Sequence, residues 1–130
     1  MTKEEFFDYW VKTSEYDFIT MEHLFEREDY LWALFIGRLV IEKLLKGYYV
    51  KQVDLNVPYI HDLLRIAEKS SLELSIEQKT FLDGLNNFNI EARYPDHKLT
   101  LYKKCTQEFT LDYLEKIREF KKWILKEIKG

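Results

Sequence analysis

The stretch "YLWALFIGRLVIEKLLKGYYVKQ", residues 30–52, decides the fold. Apolar side chains cover it on nearly every side, the pattern of a helix surrounded by other elements, not of one lying on a surface. Its longest apolar run, "LWALFIG", falls far short of the roughly 20 residues a spanning helix needs. It therefore reads as the central helix of a core, with no membrane association.

Upstream, "EREDY" is a polar break in which Asp29 suits an N-cap. Before it, Thr2 with Glu5 forms a capping-box pattern. Phe6, Tyr9, Trp10, Asp17, Met21, Leu24 and Phe25 then recur at helical steps, predicting a first helix to about Arg27. Downstream, "VDLNVP" ends the central helix, because Asn56 suits a turn and Pro58 disfavours helix at Val57. "YIHDLLRIAEKS" predicts a short third helix, opened by His61 and Asp62. Ser75 with Gln78 repeats the capping box and starts a fourth, fading at "NNFN". From about Thr100 or Thr106, apolar residues Phe109, Tyr113, Ile117, Phe120, Ile124 and Ile128 mark a long fifth helix stopped by Gly130.

Composition agrees with an all-α reading. In 130 residues there are only four Gly and two Pro, few for a strand protein that turns every several residues. The length suits one domain over 1–130, and 46% apolar residues exclude disorder. Twenty basic against twenty-three acidic residues give a net charge of −3, so no global positive field points to nucleic acid. The single Cys105 forms no internal disulfide, and the charged start "MTKEEFFDYW" lacks a signal-peptide core, which predicts a cytoplasmic setting.

Two groups of residues are candidates for chemistry. Arg38, Glu42 and Lys46 stand four apart on the central helix and so share one face. As isolated charges they read as surface ion pairs worth a few tenths of a kcal/mol each. Among apolar neighbours they read instead as a stripe bordering a groove or subunit interface. His61 can bridge to a neighbouring element, and Asp62 favours the positive end of the third helix.

The second group is "RYPDHK", residues 93–98. As plain structure it is an interhelical loop: Pro95 breaks the helix, Asp96 caps the turn, Tyr94 packs inward and Arg93 pairs with a carboxylate such as Glu42. As a site, Arg93 offers a guanidinium to phosphate, Tyr94 a ring or hydroxyl, and His97 a proton donor or acceptor near neutral pH. His23 has no ligand partners at metal spacing, and Cys105 has no local setting that suggests a nucleophile; no metal and no cofactor are expected.

Taken in order, "EDYLWALFIGRLVIEKLLKGYYV", "VPYIHDLLRIAEK" and "EARYPD" resemble the HEPN family (higher eukaryotes and prokaryotes nucleotide-binding) over nearly the whole chain. The matching positions are Trp10 and Asp17, Tyr30 and Ala33, Glu42, Lys43 and Lys46, Pro58, His61 and Leu63, and Arg93, Tyr94 and Pro95. The resemblance implies an up-and-down bundle of four to five helices, usually paired as a homodimer. It also implies a minimal nucleotidyltransferase partner in a toxin-antitoxin-like pair, and a nucleotide or RNA as ligand.

Many HEPN proteins are metal-independent ribonucleases in which an arginine and a histidine flank four to six residues. Here the nearest approach is Arg93 and His97, separated by only three residues. The expectation is therefore a binding module in which Arg93, Tyr94, Lys46 and His61 meet nucleotide or phosphate, with Arg38, Glu42 and Asp96 in structural ion pairs. The alternatives are a ribonuclease using Arg93 and His97, and a non-catalytic dimerisation scaffold.

Overall fold

The computed structural model describes residues 1–89 and 95–129, and for Pro95 and Asp96 the backbone alone. Its first helix, α1, spans Lys3–Glu26, with the Thr2 side chain accepting from the Glu5 N–H. The next, α2, spans Tyr30–Gln52. Between them the chain closes a compact helix-ending turn. The Glu28 N–H donates to the Phe25 carbonyl and the Asp29 N–H to that of Leu24, with Glu28 in the left-handed region at φ 65°. Asp29 then stands at the N-cap of α2, although its side chain makes no capping bond. So short a connection makes α1 and α2 antiparallel neighbours.

The all-round apolarity of α2 has the expected outcome. Leu34, Val40, Ile41, Leu44, Leu45 and Val50 lose all contact with solvent, each burial worth on the order of 2 kcal/mol. Beyond α2 come α3 (Leu63–Lys69), α4 (Ile76–Leu85) and a single 3-10 turn at Asn86–Phe88. Ser75 and Gln78 cap α4 reciprocally, as their spacing predicts. α3 ends as α1 does, with Ser71 at φ 56°, the Ser71 N–H on Glu68 and the Leu72 N–H on Ala67.

The last part of the chain departs from the loop and single long helix expected of it. A separate helix, α5, runs Pro95–Lys104, and α6 runs Gln107–Lys129. Pro95 starts a helix where a breaker was expected, because the first helical position needs no N–H and favours the fixed φ of proline. Thr106 accepts from the Phe109 N–H at 3.2 Å and opens α6. On α6, Leu114, Ile117, Phe120, Ile124 and Ile128 face inward. The crossing with α2 is close: a Cβ on Gly37 would stand 2.6 Å from Ile117 Cδ1 and 3.0 Å from Met21 Sδ.

Three ion pairs fasten α1 to its neighbours. Asp17 meets Lys43 at 2.5 Å, Glu15 meets Lys121 at 2.9 Å, and Glu22 takes both Nε and Nη2 of Arg118 at 2.9 and 2.8 Å. That fork raises the Arg118 pKa and fixes the register of α1 on α6. Among the described residues the elements are six α-helices and the 3-10 turn. No described helix is long and apolar enough to cross a membrane.

Candidate functional site

The four-residue spacing on α2 places Arg38, Glu42 and Lys46 in one column, and the fold then covers it. Their exposures are 2%, 5% and 7%, so the reading as surface ion pairs does not hold. The reason is tertiary: Trp10 of α1 lies under the Lys46 ammonium, 5.5 Å from ring centroid to Nζ, and the segment leading into α3 lies against Arg38 and Glu42. Spacing on one helix carries no information about either cover.

Glu42 is the centre of the cluster. Its Oε1 meets Arg38 Nη1 at 3.0 Å, its Oε2 meets Lys46 Nζ at 3.0 Å, and His61 Nδ1 stands 3.2 Å from Oε2. Arg38 Nη2 also donates to the backbone carbonyl of His61, while its Nε is buried without a partner among the described residues. Among the described residues two cations thus share one carboxylate, which leaves a positive charge over in a place where charges are costly. Buried donors left unpaired cost about 1–3 kcal/mol each.

His61 carries the cluster to the surface. Its side chain is 53% exposed, and the Tyr59 ring, 94% exposed, meets it edge to face at 5.8 Å. The segment holding both rings is anchored at its far end. The Asp62 carboxylate caps α3 by accepting from the N–H of Leu64 and Arg65, and the Asn86 amide both donates to Asp62 and accepts from the Leu63 N–H. Sequence reasoning finds His61 and Asp62 but misses Tyr59 and Asn86. Tyr59 sits two residues before His61, just after Pro58, which is the one signal the sequence holds; Asn86 holds none.

The second candidate group is only partly visible. Arg93 and Tyr94 lie outside the described residues, as does the side chain of Asp96, and with them the suggested pairing of Arg93 with Glu42. His97 is exposed in the first turn of α5. Cys105 is buried, and burial pushes its thiol up to about 11 against the pull of Lys104, so it is a packing residue at neutral pH. Among the described residues no three His, Cys, Asp or Glu side chains gather closely enough to hold a metal ion.

The family model described as HEPN domain matches residues 7–128, which takes in α2 to α5 whole, α1 and α6 but for their outer ends, Glu42, His61 and the "RYPDHK" segment. No curated protein and no solved structure matches the chain.

Proposed function

This chain belongs to the HEPN family, and from that premise we propose that it is a homodimeric module that binds a nucleotide or RNA and works beside a minimal nucleotidyltransferase in a toxin-antitoxin-like pair. The observation that carries the binding half of this reading is the Glu42 cluster. Its surplus positive charge lies behind His61 and Tyr59, two exposed rings held on an anchored segment. Cations behind accessible aromatic rings suit phosphate beside a base, since the charge attracts the one and the rings stack on the other. In this account Arg93 and Tyr94 add a guanidinium and a further ring, Lys46 acts through its charge, and His97 stands by without turning over RNA.

The spacing of Arg93 and His97 supports binding over cleavage, because Pro95 between them fixes the backbone and one fewer residue redirects the imidazole. The test is fluorescence anisotropy of a labelled single-stranded RNA, with nucleotides as competitors. His61→Ala and Tyr59→Ala remove exposed rings, and each should weaken binding about tenfold, in line with stacking energies of 1–3 kcal/mol per base. Affinity unchanged in both variants would remove this face from the account.

A further inference from the structure

A second concave site lies between α4 and α6, with no residue in common with the Glu42 cluster. At one end the helices touch: Gly84 leaves room for the Tyr113 hydroxyl, which would stand 2.5 Å from a Cβ there. From that point the helices leave a cavity of about 700 Å³, within the size range of small-molecule sites. Its lip carries the exposed side chain of Ile76, which adds apolar surface to the opening.

The walls are aromatic. Tyr113, Phe81, Phe120 and Trp123 follow one another at centroid distances of 6.3, 5.7 and 5.4 Å. The charges at the rim are unequal. Glu77 and Glu119 line the cavity and have no ion-pair partner among the described residues. Lys116, the one lining cation among the described residues, is held 3.0 Å from Asp112 and 5.7 Å from the Tyr113 ring.

We infer that this cleft binds a small organic cation with an apolar body, a protonated amine or a quaternary ammonium. Two carboxylates at the rim without an ion-pair partner among the described residues make the potential there negative, and aromatic walls suit an apolar body, so the site attracts a cation and repels an anion. A neutral ligand of the same shape gains the ring contacts but not the charge. This inference does not depend on the anion-binding reading, since the two sites ask for opposite charges.

The test is calorimetry of the whole chain with benzyltrimethylammonium as probe, and with benzyl alcohol and benzoate as the neutral and anionic controls. The cation should bind with a dissociation constant of about a millimolar or tighter, and at least about tenfold more tightly than either control. Glu77→Gln with Glu119→Gln should weaken the cation about tenfold and leave the neutral control unchanged. Both positions are exposed, so the double variant should keep its thermal midpoint. Trp123→Leu should weaken the cation as well. The inference is overturned if benzoate binds as tightly as the cation, if the glutamine variant binds it as wild type does, or if no heat is seen up to about 10 mM probe.

Discussion

His61 Nδ1 lies 3.2 Å from Oε2 of Glu42, joining an exposed imidazole to a carboxylate buried in the middle of α2. Through that contact, and through the bond from Arg38 to the His61 carbonyl, the segment before α3 is fixed to the most buried helix of the fold. Whatever binds at His61 and Tyr59 therefore meets a positioned surface, not a loose loop.

The first expectation concerns the centre of this network. Glu42→Ala leaves Arg38 and Lys46 buried without a counter-charge, and stability should fall by about 3–5 kcal/mol. Urea denaturation measures it. Replacing Arg38 by Met as well should recover part of the loss, because one stranded cation goes with the carboxylate. A Glu42→Ala midpoint equal to wild type would mean that water already satisfies the cluster.

Two turns carry strain that glycine removes. Glu28 and Ser71 both sit at positive φ, where a side chain costs about 1–2 kcal/mol. Glu28→Gly and Ser71→Gly should each raise stability by about 0.5–1 kcal/mol, the unfolded-state entropy of glycine offsetting the rest. Thermal unfolding of the two single variants and the double one checks both the sign and the additivity expected of separate turns.

Much of this architecture is legible in the chain. The N-cap at Thr2, the capping box at Ser75, the all-round apolar pattern of α2 and the period of α6 each follow from local rules that the packing reinforces. What escapes is set by tertiary contact or by context. Pro95 reads as a breaker or as a first helical residue with equal right, and only the fold decides for α5. Likewise the stripe of Arg38, Glu42 and Lys46 has the same spacing whether it faces water or Trp10. Legibility of the site is therefore lower than that of the fold.

Cys105 gives a pH dependence with a definite sign. Its thiol titrates at 9.0 when unfolded and at about 11 in the fold, so between those values the unfolded chain has already lost the proton that the folded chain keeps. Stability should fall as pH rises through this window and be unaffected below it. Comparison with Cys105→Ala isolates the effect from other groups, since that variant should lose less over the same range. At pH 8 the folded protein should react slowly with a thiol reagent, and rapidly in urea.

The most direct measurement of the central claim is calorimetric titration of RNA into wild type and Arg93→Lys at two salt concentrations. A guanidinium meets phosphate with two parallel hydrogen bonds and an ammonium does not, so keeping the charge but not the geometry should weaken binding about tenfold. Affinity of both should drop at the higher salt as counterions compete. Equal affinity in the two proteins, or binding indifferent to salt, would contradict the account of this HEPN protein as a phosphate-recognising module.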